Sequence, residues 1–271
     1  MNGIINPEHL SPEAIKGYKE AFYAGHPCPH IVIDNFFRPE VATQLFDNFP
    51  KVEDMKVKRK SLNENKVEDY KFERWHPVFS DAKAAVTGEA FCEVMSQLTG
   101  IDGLFVTTDN TGAGIHQGAN NSYVDVHIDF NMSTQFNAWR RINMLVYLNR
   151  DWKEEYGGHL TLWDKKMTKM EKKVMPAYNR AVIFLTDENS PHGVNKVTVP
   201  EGETRKSFYV YYYTPVEEGV EYRDSRFLAR PDESFVKRTL TNVKETLKVN
   251  IKSAMYKMGI KKLDFQDKNK D

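Results

Sequence analysis

Ser122-Tyr123-Val124-Asp125-Val126-His127-Ile128-Asp129 alternates its side chains in the way a β-strand does. Tyr123, Asp125, His127 and Asp129 then share one face, with an imidazole and a carboxylate together at the strand's end. Outward from this stretch, short β-rich runs occupy 104–108, 113–117, 140–148, 159–163, 180–186, 192–199 and 204–214. With 122–128 they make eight short strands, separated mostly by turn residues, and no internal repeat is visible. That texture predicts two packed sheets, a sandwich or jelly roll.

The flanks read as helical. Ser11-Pro12-Glu13 is a helix start, followed by Ile15, Tyr18 and Phe22 at helical spacing. His30 to Phe37 reads as a strand, and Pro39 opens a short helix carrying Val41, Leu45 and Phe49. Residues 51–74 are dense in charge and read as a solvated loop or mobile insertion, with a substrate lid as the functional alternative. Ser80 is expected to cap one helix that runs through Phe91, Val94, Met95 and Leu98 and ends at Gly100. Cys92 inside it reads as a small packed residue.

After residue 232 the pattern turns helical again, with Leu240, Val243, Leu247, Ile251, Met255 and Met258 in one stripe among lysines. The expectation is a helix docked on the barrel by that stripe with a basic face to solvent, the alternative a dimer or partner helix. Residues 264–271 are expected to fray. The organisation expected is therefore mainly β with flanking helices. Residues 1–225 form one domain, helical to about 100 with a jelly-roll core over about 101–215, and 226–271 form a basic helical extension.

Composition narrows the function. The chain has 271 residues, 38 basic and 38 acidic, for a formal net charge of zero, which gives no support for nucleic-acid or membrane attraction. No apolar run reaches membrane-spanning length, and Met1 to Leu10 lacks the charge-then-apolar pattern of a secretory leader. Two cysteines, Cys28 and Cys92, are too few for a disulfide framework and fit a reducing cytoplasm.

The chemistry-bearing residues lie on separate β-runs. His192, after Pro191, can approach His127 and Asp129 from a neighbouring strand. Two imidazoles and a carboxylate on one face of an ion suit Fe(II), with Zn, Mn or Ni also able to fit. His159 and then His116 are the rivals for third ligand. Arg205, Ser207, Tyr209, Tyr211 and Tyr213 share a face of their run, and a guanidinium at a barrel mouth can clamp a carboxylate. Tyr147, on a face with Arg141, Asn143 and Leu145, can add a hydroxyl to the same anion. Lys206 is the rival to Arg205 but faces the other way.

Five segments together resemble the 2-oxoglutarate- and Fe(II)-dependent oxygenase superfamily, in its prolyl 4-hydroxylase-like branch. They are His-Ile-Asp-Phe at 127–130, Arg-Ile-Asn-Met-Leu-Val-Tyr-Leu-Asn-Arg-Asp-Trp at 141–152, Gly-Gly-His-Leu-Thr-Leu-Trp at 157–163, Pro-His-Gly-Val at 191–194 and Thr-Arg-Lys-Ser-Phe at 204–208. The resemblance covers roughly 105–214 and is specific to the superfamily more than to a substrate. It implies a double-stranded β-helix. It also implies His127, Asp129 and His192 as iron ligands, Arg205 on the distal carboxylate of 2-oxoglutarate with Tyr147 as helper, and a Gly157-Gly158 turn into the next strand. The His192-to-Arg205 interval, with Pro200-Glu201-Gly202-Glu203, is longer than that family's usual spacing, and a longer hairpin accommodates it.

The activity so implied is hydroxylation of a C–H bond on a prolyl residue, free proline or a related amino-acid-like substrate. O2 would be the cosubstrate, succinate and CO2 would be released, and ascorbate is a candidate reductant. Asn131, Arg140 and Trp163 are the candidate substrate contacts, and the protein would be a monomer or homodimer acting on a small molecule or peptide. The competing readings are a non-catalytic metal- or sugar-binding jelly roll and a metal-dependent hydrolase or isomerase of cupin-like shape.

Overall fold

The computed structural model describes residues 1, 3–109, 112–230 and 233–258; the expectation for 264–271 lies outside them. In chain order the elements are α1 Pro12–Ala24, β1 His30–Ile33, α2 Pro39–Asp47, β2 Val57–Lys60, β3 Glu64–Asp69, α3 Pro77–Thr87, α4 Glu89–Thr99, β4 Ala113–Gly118, β5 Tyr123–Ile128, β6 Met132–Ser133, β7 Ala138–Tyr147, β8 Leu160–Trp163, β9 Met170–Val174, β10 Arg180–Leu185, β11 His192–Val194, β12 Arg205–Pro215, β13 Arg226–Phe227 and α5 Phe235–Lys257. Among the described residues all thirteen strands join one antiparallel sheet with the path β1-β10-β7-β12-β4-β3-β5-β11-β8-β9. The sheet curls on itself. One cavity is lined by Leu145 and Phe184 from the first half of the path and by Leu160 and Val194 from the second. The expected jelly roll is thus present, as two layers hinged at β3.

Strand alternation sorts each strand of the larger layer between two environments. Ile142, Met144 and Val146 of β7 and Phe208, Val210 and Tyr212 of β12 point outward into the main core, against Phe22, Phe79 and Met95 of the N-terminal helices. Each such fully buried side chain contributes roughly 1.5–3 kcal/mol. The helices therefore brace the outer face, and the other face is left free for the polar residues of the cavity.

The N-terminal cap is as expected, with Ser11 Oγ accepting from the Ala14 amide at 3.1 Å. The single helix expected from Ser80 to Gly100 is instead two. The chain is extended at Gly88 (φ −72°, ψ 154°), Ser80 lies inside α3, and α3 is capped by His76 with Pro77 in its first turn. Gly100, in the left-handed region at φ 66°, ends α4. The run at 104–108 reduces to one bridge, Phe105 to Tyr213, and that at 192–199 to a strand over His192–Val194 plus one bridge, Val197 to Gly157.

Residues 51–74 are not a loop. β2 and β3 form a hairpin, and β3 pairs with both β4 and β5, closing the layers together. Its charges are matched within the sheet, Glu68 meeting Arg59, Lys66 and His116. Backbone pairing and ion pairs thus substitute for the apolar pattern that normally signals a strand.

The orientation of α5 also differs from expectation. The polar side docks and the apolar stripe faces out. Lys237 Nζ reaches Asp125 at 2.6 Å, Asn63 donates to Thr241 Oγ1 at 3.0 Å, and the Phe227 amide donates to Glu245 at 3.1 Å. Thr241 and Glu245 are buried, while Leu240, Val243 and Leu247 are more than half exposed. The barrel surface beneath offers carboxylates and amides, so it selects the lysine and threonine side of the helix.

Candidate metal centre and active site

His127 on β5 lies directly opposite His192 on β11, with ring centroids 4.4 Å apart. Asp129 follows one residue after β5. The ligand atoms of all three lie within 4.8 Å of one another. His127 Nε2 stands 3.5 Å from one Asp129 oxygen, and His192 Nε2 stands 3.4 Å from the other. Ligands about 2 Å from a shared ion sit roughly 3 Å from each other, so small movements would close this set on a metal.

The imidazoles are fixed in the ligating tautomer. Nδ1 of His127 donates to the Asp125 carbonyl and Nδ1 of His192 to the Ser190 carbonyl, each at 3.0 Å. A carbonyl can only accept, so each Nε2 keeps its lone pair for the common centre. Burial, followed by the neighbouring His127, lowers the His192 pKa to about 4, which keeps it neutral. Burial pushes Asp129 up, but Arg140, His192 and His127 outweigh it and hold the carboxyl well below the usual range.

Two strand irregularities build this geometry. Opposite β12 the register passes from Ile142 to Arg140, so Arg141 is an extra residue in β7. The bulge puts Arg140 and Asn143, three apart, on the cavity side together. Both donate to Asp129 Oδ2, at 3.0 and 2.9 Å. The Arg140 guanidinium carbon also lies 3.5 Å from the centroid of the Tyr211 ring and 4.5 Å from that of Phe130, two rings set at 83° to each other. In β5 the register shifts between His127 and Val124. Asp125, expected on the His127 face, turns instead to Asn63 and Lys237.

A second polar cluster forms where β12 meets β7 and β4. Arg205 is buried, and its Nε donates to the Gly158 carbonyl at 2.6 Å. Its guanidinium lies 4.9 Å from the centroid of the Tyr147 ring. Arg205 Nη2, the Tyr147 hydroxyl and Ser207 Oγ are all buried without a hydrogen-bond partner. Each such orphan costs about 1–3 kcal/mol, and a bound carboxylate is the ligand that would satisfy donors of this kind. Gly158 sits at φ 67°, and a Cβ there would stand 2.8 Å from Arg205 Cδ, so the glycine makes room for the arginine.

The rivals lie elsewhere. His159 Nε2 pairs with Glu154 at 2.9 Å, outside the triad. His116 faces the cavity but is stacked on Tyr209 (4.2 Å) beside Glu68. Of the substrate-side residues, Arg140 lines the cavity from behind Asp129. Asn131 is committed to its own loop, donating to the Glu221 carbonyl and accepting from the Arg223 amide. The Trp163 indole donates to Thr161, and its backbone amide holds the Pro191 carbonyl next to His192. Sequence reading missed Asn143 as a partner of Asp129, because only the bulge brings it there. It also missed Asn65 and Lys66 of β3, which reach the cavity wall.

Residues 113–213, from β4 to near the end of β12, match the family model described as 2OG-Fe(II) oxygenase superfamily. Over these residues the chain is similar to that superfamily. The match supports a 2-oxoglutarate-dependent dioxygenase, and the matched family implies Fe(II) and 2-oxoglutarate as cofactors. No curated protein matches the chain's sequence. Among solved structures it is similar to a prolyl-4-hydroxylase from Pseudomonas putida, with 15% identity and a TM-score of 0.55 over 74% of this chain and 98% of that one. It is also similar to a prolyl 4-hydroxylase from Phytophthora capsici, with 15% identity and a TM-score of 0.50 over 96% of this chain and 81% of that one. At such identity the likeness concerns the fold. Among the described residues no helix is long and apolar enough to cross a membrane.

Proposed function

We propose that the protein hydroxylates a C–H bond of a prolyl residue, free proline or a related amino-acid-like substrate, with His127, Asp129 and His192 as the iron ligands. The observation that carries this reading is that Arg205 and Ser207 line the cavity that the triad also faces, while Arg205 Nη2, Ser207 Oγ and the hydroxyl of the adjacent Tyr147 are buried without partners. A plain metal binder or a hydrolase has no use for a buried carboxylate clamp there.

When bound, iron and 2-oxoglutarate supply the oxidising power, with one O2 consumed as succinate, CO2 and the hydroxylated product form. The chain's own residues do the positioning. Arg205 and Tyr147 hold the distal carboxylate of 2-oxoglutarate by charge and hydrogen bonds. Leu145, Leu160 and Phe184 of the cavity wall exclude water. Arg140 and Asn143 keep Asp129 ionised and aimed. Asn131 and Trp163 act on the substrate side through the loop and the Pro191 carbonyl that they hold. Residues 1–225 form the catalytic unit and 226–271 an extension of it. Ascorbate is the candidate reductant. The buried free thiols Cys28 and Cys92, raised by burial to about 12 and about 11, fit a reducing cytoplasm.

The test is anaerobic visible absorption during titration with Fe(II) and then 2-oxoglutarate. A charge-transfer band in wild type, weakened in Arg205→Ala and abolished in His192→Ala, is the expected outcome. Metal bound without any band would sink the oxygenase site. Succinate release is then compared with prolyl peptides and with free proline, and stimulation by neither would remove the prolyl assignment.

A further inference from the structure

Helix α5 is anchored by one side and bare on the other. Val236, Leu240, Val243, Leu247, Ile251 and Met258 are each 54–69% exposed. The first five line one side of a 23-residue helix, about 35 Å long, and Met258 follows its last residue. Two cations that could draw such a helix to anionic lipid or nucleic acid, Lys237 and Lys248, are turned to the docked side. Lys237 is engaged by Asp125 and Glu233, and Lys248 by Asp224 and Glu245. The stripe's borders are exposed and largely neutral, Thr239, Thr246 and Asn250, with Lys244 the one cation among the described side chains there. A lipid-facing helix instead carries lysines and arginines along its apolar edge.

We propose that this face is a homodimer interface, occupied by α5 of a second copy of the chain. Three observations fit that occupant. The 4-3-4 spacing of Val236, Leu240, Val243 and Leu247 is the seam pattern of paired helices. A neutral-bordered apolar row is complementary to itself under a two-fold axis, and the zero net charge adds no bulk repulsion. Covering the stripe buries six apolar side chains per protomer, each now more than half exposed, which supplies the apolar centre that homodimer interfaces have. The docked polar side holds the stripe on the rigid barrel, so little ordering is needed on association.

The experiment is sedimentation velocity from 1 to 100 μM on wild type and on the double variant Leu240→Glu, Leu247→Glu. Wild type sediments as a dimer, and the variant's dissociation constant rises at least about a hundredfold. Both leucines are exposed, so the variant keeps its fold, and far-UV circular dichroism verifies this. Leu247→Cys, at mid-stripe, should also form an intermolecular disulfide under mild oxidation, whereas wild type should not, because Cys28 and Cys92 are buried. A wild type that stays monomeric at 100 μM overturns the proposal, as does a dimer that persists unchanged in the double variant.

Discussion

Replacing Arg140 by Met tests whether this arginine holds Asp129 or meets substrate. Arg140 is 1% exposed, its guanidinium donates to Asp129 Oδ2 at 3.0 Å and to Asn143 Oδ1 at 2.6 and 2.9 Å, and it lies against the rings of Tyr211 and Phe130. Methionine matches its length, and its sulfur against Tyr211 and Phe130 returns about 0.5–1.5 kcal/mol. What is lost is the counter-charge of a buried carboxylate, worth about 3–5 kcal/mol when one partner alone is removed. The net destabilisation expected for the metal-free protein is therefore about 2–4 kcal/mol, read from urea unfolding. Fe(II) affinity should fall about 10- to 100-fold, the usual effect of losing a partner that orients a ligand. Arg140→Lys should fall between, since it keeps the charge but loses the planar fork that reaches two acceptors. Wild-type stability and wild-type Fe(II) affinity in Arg140→Met would refute the reasoning. A rise confined to the substrate KM would return Arg140 to the substrate side.

Three further outcomes are expected. Arg205→Ala should weaken 2-oxoglutarate binding about a hundredfold or more and Tyr147→Phe about tenfold, from the loss of hydrogen bonds to a charged group, with Fe(II) affinity alone unchanged. Equal losses for iron would show that the cluster is structural. Gly158→Ala should cost about 1–2 kcal/mol for its left-handed backbone and displace Arg205, so 2-oxoglutarate affinity should drop while iron binding holds; an unaffected variant contradicts the close approach described above. His116 is lowered to about 4 by burial and then by Lys66. The unfolded chain takes up this proton near pH 6.5 and the folded one does not, so acidification favours unfolding. Between pH 7 and 5 this residue should remove about 2 kcal/mol of stability, and His116→Gln should lose that much less over the same interval. Identical pH slopes for variant and wild type would rule the histidine out as the source.

Much of the site was legible because it depends on residue chemistry spread over regular strands. His127 and Asp129 followed from alternation on β5, and His192 and Arg205 each stood at the start of a β-run. The misread parts have identifiable physical causes. β3 is a strand by virtue of its pairing with β4 and β5, and Glu64 to Asp69 carries no apolar pattern to announce it. Gly88 breaks a helical stripe that continues smoothly through it in sequence. The stripe on α5 was read correctly as a stripe but assigned to the wrong partner, because burial was assumed to follow hydrophobicity. The carboxylates of the barrel surface decided the docking instead. The roles of Asn143 and Arg140 could not be seen at all without the bulge at Arg141.

That bulge acts as a reading frame for the carboxylate. Asp129 is served by an arginine and an asparagine exactly three positions apart on a strand whose natural repeat is two. Deleting Arg141 would bring Arg140 and Asn143 to the ordinary two-residue repeat with both donors facing the cavity, whereas ironing out the bulge at constant length would turn one of them away. What the carboxylate depends on is therefore the match between segment length and bulge, not the identity of the extra residue. In a related chain, a one-residue gap between positions 140 and 143 marks a strand that can present the same two donors by plain alternation, with no bulge.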